Sequence, residues 1–196
     1  GMLFVLPARD LNEQRAERRA TITERCEYVA SIAKTREPFV AWCHLNAEAD
    51  LLTKMIPGAI QVSGADDDDA KVEKFDQFGS GAARVLVTKP KIGGFGLNWQ
   101  HCAHMSVFPS HSYEQYYQAV RRCWRFGQTR PVRVEIVSTE GEADVMGNLR
   151  RKAEAADEMF SEMVQAMANE LTAAPKRASQ QSNVTMPAWM EMTCKQ

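Results

Sequence analysis

The chain has 196 residues, 44% hydrophobic and 25% charged, enough for one domain with a sizeable core plus appendages. A formal net charge of −1 excludes a polyelectrolyte pull toward nucleic acid, so any such binding must use a local basic surface. No apolar run is long enough to span a bilayer and the first residues lack a signal-peptide pattern, so neither a membrane protein nor a secreted one is expected.

In chain order, residues 2–7 (MLFVLP) form an apolar strip closed by proline. Helical spacing over 11–33 places Ile22, Cys26, Val29 and Ala33 on one side. The arginines and glutamates crowding the first half of that helix read as a solvated face with internal pairs. Glu37-Pro38 stops it, and FVAWCH at 39–44 predicts a buried strand. Asn46 is the expected N-cap of the next helix, with Glu48 and Asp50 in its first turn, where the helix dipole favours acids. A second strand over 59–62 runs into Ser63-Gly64. Asp66 to Asp69 crowd the start of a helix whose buried side is assigned to Val72, Phe75 and Phe78.

Residues 84–88, 103–108 and 132–137 supply three more strands. Strands alternating with helices imply crossover connections and a mainly parallel sheet covered on both faces, a three-layer α/β domain. Such sheets place ligand loops beyond the C-terminal strand ends. His44 to Asn46, Ser63-Gly64, Thr88 to Asn98 and the segment before Ser112 fall there. Beyond Thr139 a long helical pattern over 142–171 carries an apolar stripe of Val145, Leu149, Ala156, Phe160, Met163, Met167 and Leu171. From 174 the composition turns polar with prolines, and a mobile tail is expected. The expected organisation is an N-terminal strip and helix over 1–36, the α/β lobe over 37–140, the long helix over 141–173 and the tail over 174–196.

Two stretches carry chemistry. SYEQYYQAVRRCWRFGQ at 112–128 reads as a helix capped by Ser112, with Gln115 at capping-box spacing and Gly127 ending it. Tyr113, Tyr116, Tyr117, Val120 and Trp124 then share a buried face, and Gln118, Arg122 and Arg125 share the opposite one. Two guanidinium groups aimed the same way from a rigid base suit a phosphate that carries charge in a transition state. The second stretch, TKPKIGGFGLNW at 88–99, is a glycine-rich segment behind a strand, where backbone N–H groups can meet a phosphate or ribose. Taken alone it is a tight turn.

The string QAVRRCWRFGQ at 118–128 resembles motif six of the superfamily-two helicases, in the form used by Swi/Snf-type DNA translocases. The segment from Thr88 to Trp99 is similar to motif five of that family, although it is longer between the threonine and the glycines. Phe39 to Trp42 resembles motif four, and Thr139 to Lys152 resembles the family's closing segment. The tryptophan, asparagine and proline that precede motif six in the family are replaced by Ser110-His111-Ser112. The resemblance, over 39–152, implies the second RecA-like lobe of a superfamily-two ATPase. It casts Arg122 and Arg125 as arginine fingers and associates Gln118, Gly94, Gly96, Asn98 and Gln128 with the ATP site. Thr88 falls where the family touches a nucleic-acid phosphate; Lys89, Lys91, Ser63, Gly64 and Asn46 join it by their place at the strand ends.

The implied cofactors are ATP and Mg2+, held mainly by a first lobe. The GxxxxGK[ST] and D-E-x-[HD] motifs that bind them are absent here, so the chain alone is expected to be inactive. The implied partners are that first lobe and nucleic acid, with DNA expected. Two rivals stand beside this reading: a helicase-like lobe kept for docking, and an RNA helicase lobe of the DEAD-box kind. No metal site is expected. The acids of 66–69 are explained by the helix dipole, and His101-Cys102-Ala103-His104 lacks a second ligand pair. Five scattered cysteines without a CxxC pair point to a reducing compartment, cytoplasmic or nucleoid-associated.

Overall fold

The computed structural model describes residues 11–35, 37–93 and 97–173. The apolar strip at 2–7, Gly94, Gly96, Cys194 and the tail lie outside them. Five strands, β1 (Phe39–Trp42), β2 (Ala59–Gln61), β3 (Val85–Thr88), β4 (His104–Val107) and β5 (Arg133–Ile136), form one sheet in the order β2-β3-β1-β4-β5. Every pairing is parallel, with Phe39 opposite Val85 on one side and His104 on the other. The helices are α1 (Leu11–Ala20), α2 (Ile22–Ile32), α3 (Asn46–Met55), α4 (Asp68–Gly79), α5 (Pro90–Gly93), α6 (Tyr113–Arg121) and α7 (Ala143–Ala173).

Because β1 and β3 are covered on both faces, all their residues are buried, and alternate side chains feed two cores. Phe39, Ala41, Val85 and Val87 meet Cys26 and Val29 of α2 and Leu52 of α3. Val40, Trp42, Leu86, Met105 and Val107 meet Phe78 of α4, Ala119 of α6 and Cys123. Trp99 sits at the centre of the second core, edge-on to Phe78 at 5.5 Å and tilted against Trp42 at 5.8 Å. The three-layer α/β reading holds, and the long C-terminal helix is present.

Several local expectations are corrected. The helix of 11–33 is two helices broken at Thr21, whose hydroxyl donates back to the Glu17 carbonyl at 2.8 Å. Its charged face is not simply solvated. Arg25 is 2% exposed, its Nη1 2.9 Å from Oε1 of the equally buried Glu48, at an angle short of a hydrogen bond. Arg18 gives Nε to Glu142 at 2.6 Å and Nη2 to the Pro109 carbonyl at 2.7 Å. Asn46 is the first residue of α3 rather than its cap. Capping falls to Glu48, whose Oε2 accepts from the N–H groups of His44 and Leu45 at 2.9 Å each. On α4, Val72 is exposed while Phe78 is buried.

The acids before α4 have ordinary uses. Asp67 caps the helix by accepting from Ala70 N–H, and Asp66 accepts from Ser63 N–H and pairs with Lys74 at 2.8 Å. Among the described residues, no three His, Cys, Asp or Glu are grouped to hold a metal, and no helix is long and apolar enough to cross a membrane.

The chain divides into two compact units, Gly1–Ala156 and Asp157–Gln196. Within the first, Val145 and Leu149 of α7 are buried. In the second, Phe160 and Met163 of the predicted stripe are exposed, together with Met159 and Val164. The side chains of Met167 and Leu171 lie outside the described residues.

Burial holds His44, His101 and His104 below the ordinary imidazole range near 6.5. Each binds a proton less readily folded than unfolded, so its contribution to stability is complete above about 6.5 and is lost as pH falls toward the lowered folded value. Thermal melts at pH 8 and pH 5 should show the lower melting point at pH 5. A higher one would contradict the burial of these imidazoles.

Candidate nucleotide and nucleic-acid interface

The predicted helix over 112–128 begins as expected, with the Ser112 hydroxyl accepting from Gln115 N–H at 3.3 Å. It stops seven residues early. The Arg122 carbonyl, which would accept from residue 126 in a continuing helix, instead takes the N–H of Trp99 at 2.8 Å. The Arg122 and Cys123 N–H groups meanwhile tighten to i−3 bonds. After that, Arg125 to Gln128 form a turn closed by Gln128 N–H on the Arg125 carbonyl at 3.0 Å. Gly127 sits at its third position with φ +91°, a conformation that costs a side-chain-bearing residue dearly.

The aromatic wall is corrected with it. Ala119 and Cys123 are the buried positions, backed by half-buried Tyr116 and Val120. Tyr117 and Trp124 face outward, with the Arg121 guanidinium 5.7 Å and 5.2 Å from their rings. Arg122 and Arg125 therefore do not share one helix, yet they come together. Both Nη1 atoms donate to the Leu97 carbonyl, at 3.1 Å and 3.2 Å.

That carbonyl belongs to the glycine-rich segment, so two stretches separated in sequence meet at one oxygen. Arg122 is half buried and its Nε is buried without a hydrogen-bond partner. Burial and the neighbouring Arg125 charge both weaken its hold on its proton. No carboxylate pairs with either arginine among the described residues. Two like charges gathered on a single neutral oxygen, with a donor to spare, have the chemistry to take an anion's oxygens.

The residues predicted to join them divide. Asn98 is exposed beside Leu97. Gln118 is half buried and gives its amide to Glu114 at 3.0 Å. Gln128 is a brace: its amide nitrogen donates to the carbonyls of Gln100, Cys102 and Cys123, and its oxygen accepts from Arg130 N–H.

A second group lies at the other end of α6. Beyond the strand ends, a cleft of about 530 Å³ is lined by Arg18, His44, Lys89, Lys91, His111 and Gln115, among others. Lys89 Nζ reaches Asn46 Oδ1 at 2.5 Å, and Lys91 is exposed on α5. The glycine-rich stretch 88–99 is not all loop: residues 90–93 turn into α5, bringing Gly93 against Trp42 and Thr88, where an added Cβ would sit 3.2 Å from both. Thr88 is fully buried and gives its hydroxyl to the Val62 carbonyl at 3.0 Å, so it lies inside rather than on the cleft wall. Gly64 is exposed, and Ser63 is held by the Asp66 carboxylate.

Arg18, which lines the cleft, was missed from sequence, and Lys152, known there only as the end of the closing segment, donates to the His111 carbonyl at 2.5 Å. Arg18 and Lys152 come from helices outside the alternating strands, and no spacing rule connects them to the cleft.

No protein-family model matches the chain, and no curated protein matches it in sequence. Solved structures do match. The C-terminal part of the Fun30 ATPase domain aligns with a TM-score of 0.57 at 17% identity, over 64% of this chain and 44% of that one. The C-terminal domain of the DEAD-box protein Dbp5 aligns with a TM-score of 0.56 at 12% identity, over 66% and 78%. Dbp5 from S. cerevisiae bound to Gle1 and IP6 aligns with a TM-score of 0.59 at 12% identity, over 67% and 36%. The chain thus spans less than half of the Fun30 chain. The class this defines is one of fold: a RecA-like α/β domain, of the kind found as the C-terminal lobe of helicase and ATPase proteins.

Proposed function

We propose that this chain is the second lobe of an ATP-driven nucleic-acid translocase, supplying arginine fingers to ATP held on another lobe. The observation that carries the reading is the convergence of Arg122 and Arg125 on the Leu97 carbonyl, without a carboxylate and with Arg122 Nε unpartnered. A weak neutral acceptor holds the pair in place and releases it readily to a charged oxygen, since charge-assisted hydrogen bonds are about twice as strong as neutral ones.

ATP with its Mg2+ brings the phosphoryl group and the first compensation of its charge. The chain's own part is to close over it, exchange the Leu97 carbonyl for phosphate oxygens, and exclude water. Lys89, Lys91 and Asn46 at the strand-end cleft, with Ser63 and Gly64 past the end of β2, meet a nucleic-acid backbone. Contacts of that sort are sequence-independent. Because the arginine pair and the cleft lie at opposite ends of α6, movement of the lobe on one site shifts the other.

The QA start and GQ end of the motif at 118–128 favour DNA. RNA is the second reading, since lobes of the DEAD-box protein Dbp5 share the fold as closely as that of Fun30. ATP turnover by the 196-residue chain should be at background level, and should rise only in a polypeptide that also carries a nucleotide-holding lobe. Stimulation of that polypeptide by duplex DNA, single strands and RNA decides the substrate. Robust turnover by this chain alone would refute the reading.

A further inference from the structure

We infer that Phe126 and Trp124 form an apolar docking knob for the nucleotide-holding lobe, beside the arginine pair; the inference rests on the function proposed above. Phe126 is fully exposed and Trp124 is 54% exposed. An exposed aromatic on a loose loop carries little information, but this turn is firmly braced. The Phe126 carbonyl accepts from the Gln100 amide, Gln128 ties three further carbonyls together, and Arg130 donates to the His101 carbonyl. Gly127 at φ +91° lies against Gln100, fixing the direction in which the preceding side chain leaves the surface. A rigid mount under a fully exposed phenylalanine holds an anchor in its bound conformation before a partner arrives, which lowers the ordering cost of docking.

The occupant follows from what surrounds the knob. Arg133 is paired with Glu135, but Arg121, Arg122, Arg125 and Arg130 carry no ion pair among the described residues, so a covering body that brings negative charge is favoured here. Arg122 and Arg125 alternate with Trp124 and Phe126 along the chain. Any body that carries a triphosphate within reach of Arg125 must also cover the adjacent Phe126. A nucleotide-holding lobe with an apolar recess beside its phosphate site meets both demands. A nucleic-acid strand stacked on these rings would stand in that lobe's path, so the two occupants exclude each other here.

The test uses the polypeptide with both lobes, one fluorophore on each, titrated with ADP–beryllium fluoride and read by energy transfer. Phe126→Ser should raise the analogue concentration for half-closure tenfold or more, as expected for an interface anchor, and Trp124→Ala should act in the same direction. Since Phe126 is outside the core, the melting temperature should stay unchanged. Normal closure by both variants, with Arg125→Ala inactive in ATP turnover, would overturn the docking knob and leave the arginine reading intact. Normal turnover by Arg125→Ala would instead bring down the reading on which this rests. Weakened binding of single-stranded oligothymidylate by Phe126→Ser, with closure unaffected, would assign the surface to nucleic acid and also overturn the inference.

Discussion

Arg125→Ala, placed in a polypeptide that carries both lobes, should cut ATP turnover by ~10³–10⁵, the range for losing an arginine that stabilises phosphoryl-transfer charge. Nucleic-acid affinity should stay near that of the parent, because the strand-end cleft with Lys89 and Lys91 lies at the other end of α6. Arg122→Ala should be equally severe. Arg122→Lys should recover little, since an ammonium cannot reproduce the fork of a guanidinium. Both arginines touch Leu97, but exposed Arg125 can be removed without opening a core whereas Arg122 is half buried, so Arg125 gives the cleaner reading. Turnover within a few-fold of the parent for both alanine variants would remove the pair from the chemistry.

Glu48→Ala should produce the largest loss of stability. The change leaves Arg25 buried at 2% exposure without its counter-charge and frees the His44 and Leu45 N–H groups from their acceptor. Removing one partner of a buried pair costs about 3–5 kcal/mol, because an uncompensated charge stays in the interior. At 2–4 °C per kcal/mol for a domain of this size, the melting temperature should fall by roughly 6–20 °C. A double variant, Arg25→Met with Glu48→Leu, should recover much of that loss, since an apolar pair of similar volume often replaces an ion pair without penalty. It should not recover all of it, because the cap at His44 and Leu45 stays missing. A drop under 2 °C for Glu48→Ala would mean that the Arg25–Glu48 contact contributes little.

These two expectations also mark where sequence was and was not sufficient. The five strands were legible because parallel strands buried on both faces read as short apolar runs between turn signals, as FVAW and VLVT do. The α/β class followed from their alternation with helices. The end of α6 was not legible. Local propensity favours continuing the helix through Cys123 and Trp124, and only the Trp99 N–H, twenty-three residues away, takes the Arg122 carbonyl and ends it. Such a bond between distant segments leaves no periodic trace. The same holds for Arg25, whose partner lies on another helix and which reads as one more charge on a crowded face. The arginine pair was identified from spacing on a single helix. The structure brings it together through the Leu97 carbonyl instead, a scaffold that single-helix spacing does not reveal.

Cysteine chemistry follows the same division between composition and placement. Cys26, Cys43, Cys102 and Cys123 are free and buried. Burial pushes the Cys26 thiol up to about 12, and that of Cys43 well above its usual value. These thiols fill space, as their scattered spacing suggested.

The most direct measurement is a structure of the two-lobed protein with ADP and aluminium fluoride, read at the arginines. The guanidinium nitrogens of Arg122 and Arg125 should have left Leu97 and stand about 2.7–2.9 Å from the fluoride oxygen-mimics of the transferring group. A closed complex in which both still rest on the Leu97 carbonyl, with the phosphate mimic served by other cations, would contradict the account.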